Sequence, residues 1–198
     1  MFIAVDIGNS NIKCAIFNRE KEIFEKFSIE TDKNNSDYAK LTQIIKKKHN
    51  YYACVISSVV PELNDIISNV IFNRVGITPI FLNTSRKCGL IYKYSDPSKI
   101  GADRLANVLS GISGYNHPLI IVDFGTATTV SLSLAENEFS GGLIAPGIKT
   151  SLEALHYNSS KLPKLNFEHP FEIEGTSTEQ CIRSGVYYMH LGFIEHLK

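Results

Sequence analysis

The chain has 198 residues, 20 basic and 20 acidic side chains, and a hydrophobic share of 43%. This length holds one large domain or two small lobes, and the apolar share is enough for a packed core. The cancelling charge offers no general attraction for nucleic acid or an anionic membrane.

Local features point the same way. The run Lys46-Lys47-Lys48-His49 reads as the solvated end of a surface helix. Cys14, Cys54, Cys88 and Cys181 lie far apart with no C-x-x-C pair, which argues against a zinc site and gives no disulfide framework. The N-terminus reaches Asp6 after a short apolar stretch, too short for a secretory core. No run approaches the roughly 20 apolar residues needed to cross a bilayer. The expectation is a soluble, cytoplasmic protein without membrane or nucleic-acid partners.

The elements follow in chain order. Phe2 to Ile7 is an apolar strand, Gly8-Asn9-Ser10 a turn, Asn11 to Phe17 a second strand, and Glu22 to Ile29 an alternating third. Asn34-Asn35-Ser36 marks a loop, and the spacing of Leu41, Ile44 and Ile45 predicts a helix over Tyr38 to Lys48. Ala53 to Ser57 is a buried strand. Pro61 opens a helix continued by Leu63, Ile66, Ile67 and Val70. Ile77 to Leu82 is a strand, Asn83 to Ile100 a polar loop, and Ala102 to Ile112 a helix with Leu105, Val108 and Leu109 on one side. Gly114 to Pro118 is a boundary, and a new strand starts at Leu119. A helix is predicted from about Ile148 to Tyr157.

Across that boundary the sequence repeats. Ile3 to Ser10 and Ile120 to Ala127 each read as apolar strand, Asp, apolar residue, Gly, small residues. Two related units follow, 1–114 and 115–198.

Four blocks carry chemistry. In DIGNSNIK, Asp6 to Lys13, a carboxylate at a strand end stands beside turn N–H groups able to hold phosphate oxygens, and Asp suits Mg²⁺. Lys13 can supply a point charge. An ordinary β-hairpin with Asp and Asn chosen for the turn fits the same letters. DFGTATT, Asp123 to Thr129, repeats the arrangement with hydroxyls, though Thr also suits plain strands. GADR, Gly101 to Arg104, opens a helix. Asp103 there is either a general base or a helix-start acid, and Arg104 either a bidentate carboxylate clamp or a surface residue. GGLIAPG, Gly141 to Gly147, makes a tight path into a helix.

These blocks, in this order and over essentially the whole chain, resemble the type III pantothenate kinases, with Gly175, Thr178, Ser184 and Gly185 as a final matching block. The resemblance implies an α/β fold of two ribonuclease H-like lobes, as in the actin and sugar kinase superfamily, with ATP in the cleft between them. It implies transfer of a phosphoryl group from ATP to pantothenate. ATP and its phosphates would lie against Asp6, Gly8, Asn9, Ser10, Asn11, Lys13 and Thr126, with Mg²⁺ at Asp6. Pantothenate would lie against Tyr94, Gly101, Ala102, Asp103, Arg104 and Thr178, with Asp103 as base. Asp123 would hold potassium or ammonium. Thr178 would serve the neighbouring subunit of a homodimer. Other implied possibilities are an accessory transcriptional regulator and a superfamily kinase with another acceptor. The chain departs from the family pattern at Ser131, where Asp is usual, and lacks a later T-G-G motif, so it reads as a short or truncated member with sparse adenine contacts.

Overall fold

The computed structural model describes residues 1–32, 38, 40–46, 49–170 and 172–197. The expected loop at Asn34-Asn35-Ser36, and Lys47 and Lys48 of the basic run, lie outside the described residues. The chain forms two compact units, Met1–Gly114 and Tyr115–Lys198.

The first unit is built on a sheet of β1 (Phe2–Ile7), β2 (Asn11–Phe17), β3 (Ile23–Glu30), β4 (Ala53–Ser58) and β5 (Ile80–Phe81), ordered β3-β2-β1-β4-β5. The β1–β2 and β2–β3 pairs are antiparallel; β1–β4 and β4–β5 are parallel. Period-2 alternation decides its two faces. Ile3, Val5, Ile7, Ile12, Cys14, Ile16, Cys54 and Ile56 are buried on one side. Leu41 at the start of α1 (Leu41–Ile44) and Ile67 and Ile71 of α2 (Asn64–Val75) join that cluster. Pro61 opens a 3-10 turn, Pro61–Leu63, that feeds α2, and Gly76 ends α2 in the left-handed region at φ 73°.

The opposite side carries the intervening residues, among them Asp6, Lys13 and Ser57. Helix α3 (Ala102–Gly114) packs against β4. Its buried Leu105 and Val108 are not part of the α1–α2 cluster, so α3 covers this second face.

Three expectations change. Among the described residues of Tyr38 to Lys48, the predicted helix is a single turn, Leu41–Ile44, although Leu41 and Ile45 are fully buried. The strand predicted over Ile77 to Leu82 shortens to Ile80–Phe81, with the Leu82 N–H still donating to the Ile56 carbonyl at 2.8 Å; Pro79, just before it, has no N–H for the ladder. The loop before α3 contains β6 (Ile91–Tyr92) and a 3-10 turn at Pro97–Lys99, capped by Asp96, which accepts from the Ser98 N–H at 3.0 Å.

The second unit holds an antiparallel sheet ordered β10-β8-β7, from β7 (Leu119–Phe124), β8 (Ala127–Ser133) and β10 (Gly141–Pro146), with β9 (Glu138–Phe139) between the last two in sequence. Helix α4 (Ile148–Tyr157) spans the predicted range and packs on α5 (Thr178–Glu195) and β8. The segment leading to α5 is strapped onto that helix. Arg183 pairs with Glu168 at 3.6 Å and Glu179 at 3.7 Å, and Ser184 donates to the Glu172 carbonyl at 3.1 Å. A Cβ at Gly175 would fall 2.4 Å from the Cys181 nitrogen, so this crossing admits only glycine. Among the described residues no helix is long and apolar enough to cross a membrane.

Candidate phosphoryl-transfer site

In the first unit, strand alternation turns Asp6 away from the α1–α2 core. Lys13 stands beside it on β2 and Ser57 on β4, each as its direct register partner. The sequence expectation for Asp6 and Lys13 rests on this arrangement; from sequence Ser57 is only the end of a buried strand. The turn is closed from inside: the Gly8 N–H donates to the Asn11 carbonyl at 3.0 Å, and Thr31 Oγ1 donates to the Gly8 carbonyl at 2.6 Å. Asn9, Ser10, Asn11 and Lys13 are left exposed. The arrangement suits an anion, with a fixed backbone and polar groups turned outward.

The GADR block lies beside this hairpin through one residue. The Val59 N–H donates to the Ile7 carbonyl at 3.0 Å, just before the Gly8 turn. A Cβ on Gly101 would lie 3.8 Å from Val59 Cγ1. The same Cβ would lie 2.4 Å from Asp103 Oδ1, so glycine leaves room for that carboxylate as it sits. Asp103 Oδ1 accepts from the Arg104 N–H at 2.8 Å, and the Gly101 carbonyl accepts the first helical bond from Leu105 at 3.0 Å. Asp103 therefore occupies the positive end of α3, where a carboxylate is favoured.

Arg104 is 5% exposed, which rules out its reading as a surface residue. Ala102 is buried and Tyr94 half-buried. Asp6, Lys13 and Gly101–Arg104 are thus gathered at one face of one sheet. Val59 and Thr31, which hold the arrangement together, carry no motif of their own in the sequence.

In the second unit the hairpin is tighter. Ile7 pairs with Ile12 in the first, but Phe124 pairs with Thr128 in the second, so the turn is one residue shorter. Asp123 is half-buried and opposes Thr129, where the first hairpin opposes Asp to Lys. Gly125 N–H donates to the Ala127 carbonyl at 3.0 Å, and Thr126 is exposed. Its carbonyl is held by the Gly147 N–H at 3.0 Å and Thr150 Oγ1 at 2.6 Å. Ser131, two positions beyond Thr129 on the same side of β8, is 2% exposed. A carboxylate in that buried place would need a compensating charge, whereas the neutral Ser hydroxyl needs only a hydrogen bond.

Thr178 begins α5, whose start is capped by Ser177 accepting from the Gln180 N–H at 3.2 Å. It lines an apolar groove of about 1090 Å³ between α4 and α5, with Leu155, Ile182, Val186 and Met189. His190 closes the groove's floor: its ring nitrogens lie 2.8 Å from the Val186 carbonyl and 3.0 Å from the Pro146 carbonyl.

Among the described residues no group of three or more His, Cys, Asp or Glu side chains could hold a metal. A cation at Asp6 would therefore be held by one carboxylate with ligand oxygens and water, which is how Mg²⁺ commonly binds beside phosphates.

Comparison with known proteins gives a consistent answer. The family model described as type III pantothenate kinase matches residues 2–198. A type III pantothenate kinase of Finegoldia magna is 37% identical over 203 residues, covering 100% of this chain and 78% of the relative. One from Halalkalibacterium halodurans is 32% identical over 201 residues, covering 98% of this chain and 79% of the relative. Among solved structures, a protein described as a conserved Baf family transcriptional activator from Campylobacter jejuni superposes with a TM-score of 0.61 at 18% identity, covering 98% of this chain and 78% of that one. At that identity the likeness concerns the fold alone.

Proposed function

Because the chain belongs to the type III pantothenate kinase family, we propose that it transfers the γ-phosphoryl group of ATP to the primary hydroxyl of pantothenate, the first step of coenzyme A synthesis. The observation that carries this reading is the meeting of Asp6 and Lys13 with Gly101–Arg104 at one sheet face.

Phosphoryl transfer asks the protein chiefly for positioning and charge stabilisation. Gly8, Asn9, Ser10 and Asn11 present the turn to phosphate oxygens, with Lys13 beside them and Thr126 adding a hydroxyl in the second unit. Asp6 would hold Mg²⁺ beside those phosphates, where the ion would supply charge neutralisation. Arg104 pairs with the carboxylate of pantothenate, and Tyr94, Gly101 and Ala102 of the same chain, with Thr178 supplied by the partner subunit, complete its contacts. Asp103 accepts the proton of the attacking hydroxyl. As the new oxygen–phosphorus bond forms, the bond to the bridging oxygen breaks and ADP departs with that electron pair. Asp123 holds a monovalent cation. Thr178 acts in the site of the partner within a homodimer. The enzyme works in the cytoplasm.

ADP release should be stimulated by pantothenate and not by sugars or simple hydroxy acids at equal concentration. Equal turnover with an unrelated hydroxyl acceptor would remove pantothenate as the substrate.

A further inference from the structure

We propose that Ser57 is an additional binding residue of this site, donating a hydrogen bond to the terminal phosphoryl group of the nucleotide. The inference rests on the kinase reading above.

Ser57 lies at the C-terminal end of β4 and is 8% exposed. Its Oγ is buried and has no hydrogen-bond partner among the described residues. Its neighbour Ser58 differs: that hydroxyl accepts from the Val60 N–H at 3.2 Å. Buried hydroxyls are nearly always partnered, because leaving one unpaired forfeits its hydration without return. Packing alone would be served as well by alanine. An unpaired hydroxyl beside candidate catalytic residues is a group awaiting a ligand.

Its position says which ligand. Lys13 on β2, Asp6 on β1 and Ser57 on β4 are register partners in one row across three adjacent strands. At about 4.8 Å per strand, that row spans roughly 10 Å, the scale of two linked phosphates with their cation. Ser57 ends the row on the side of α3, where Val59 and Gly101 approach and Asp103 follows. A group passing in line from donor to acceptor lies between the residues that hold each. Ser57 stands between Asp6, on the donor side, and the α3 start, on the acceptor side. The phosphoryl group being transferred is the part of the nucleotide that reaches it, and its anionic oxygens accept what a hydroxyl donates.

The test separates the terminal phosphate from the other two. Affinities for AMPPNP and for ADP, each with Mg²⁺, are measured by calorimetry for the wild type, Ser57→Ala and Ser57→Cys. The cysteine variant fills the same space with a weak donor, and ADP binding itself reports that each variant is folded. Ser57→Ala should lose about 10- to 100-fold in AMPPNP affinity, the range for a hydrogen bond to a charged acceptor, and less than about twofold for ADP. Ser57→Cys should fall between the two. Unchanged AMPPNP affinity in both variants overturns the proposal and leaves a hydroxyl bridged to Asp6 by water. Equal losses for both nucleotides overturn it by moving Ser57 to the inner phosphates. If the wild type binds neither nucleotide, the kinase reading itself falls, and this assignment with it.

Discussion

Gly147 seats its backbone directly on the Thr126 turn: its N–H donates to the Thr126 carbonyl at 3.0 Å, and a Cβ would fall 2.2 Å from the Gly125 carbonyl oxygen. Its backbone is extended, so the requirement for glycine here is one of space. The three nearest obstructing atoms, the Gly125 carbonyl oxygen and the carbonyl carbon and oxygen of Thr126, belong to the main chain and cannot swing aside. Gly147→Ala must displace the second hairpin's turn or the start of α4. A cost of about 1–3 kcal/mol is expected from such overpacking. Thermal unfolding should shift down and KM for ATP should rise, because Thr126 moves. Gly114→Ala is the control, since nothing lies within 4 Å of a Cβ there. Equal behaviour of the two variants would show that the turn yields freely.

Asp103 has two jobs that can be separated. Its Oδ1 holds the Arg104 N–H at 2.8 Å, and its carboxylate is the proposed base. Asparagine keeps the first and removes the second. Loss of a general base costs about 10²–10⁴-fold in rate, and the lower half is expected because phosphoryl transfer is loose. Asp103→Asn should therefore lower kcat with pantothenate affinity retained by Arg104. Asp103→Ala should add a stability loss of about 1 kcal/mol through the missing contact at the helix start. A fall in kcat below about tenfold for Asp103→Asn removes the base assignment.

Much of this was legible in the sequence because it depends on local pattern. β1 and β2 are bounded by the Gly8 turn, and period-2 alternation places Asp6 opposite the core. The Ile148–Tyr157 helix follows a Pro-Gly pair and carries a clear apolar stripe. What escaped depends on distant partners. Ser57 acquires meaning only when β4 pairs in parallel with β1, a register no local pattern specifies. Val59 joins GADR to the hairpin through a backbone bond, which any residue type except proline could make. The burial of Arg104 likewise needs β4 beneath α3. The Tyr38–Lys48 helix is overestimated because its buried residues satisfy a helical period without the backbone continuing it.

Cys14 and Cys54 should make stability fall at high pH. Burial pushes both thiols up, each to about 12 from 9.0. The unfolded chain releases these protons above pH 9, while the folded chain holds them to about 12. The unfolded state then binds fewer protons, so stability present below the unfolded value declines across that window. Tyr38 and Tyr51, also raised by burial, act in the same sense. Urea midpoints should drop between those limits, and Cys14→Ala/Cys54→Ala should flatten the drop in part. In the native protein a thiol reagent should modify exposed Cys181 and spare Cys14 and Cys54. Rapid native labelling of the latter pair would contradict their burial.

Asp123 is proposed to hold a monovalent cation, a carboxylate half-buried opposite Thr129 rather than opposite a lysine. The rate in potassium should exceed that in sodium or a bulky organic cation by about tenfold or more. Asp123→Ala should run at the low rate in all three salts. Equal wild-type rates in every salt would end the assignment.

Thr178 stands exposed at the start of α5, on the rim of an apolar groove. Its proposed role is in the partner's site, and complementation tests this with a definite number. Thr178→Val keeps the shape and removes the hydroxyl; Asp103→Asn removes the base. Each variant alone should be nearly inactive. In a mixed dimer one site draws both defects and the other draws neither. Random exchange makes half of the dimers mixed, and half of their sites are intact, so about a quarter of wild-type activity should return in a two-fold dimer. If each chain builds its own site, every site carries one defect whatever the pairing, and mixing restores nothing. A quarter recovered after subunit exchange, and absent when exchange is blocked by cross-linking, can come only from a site shared between chains. No recovery on full exchange would place Thr178 outside the partner's site.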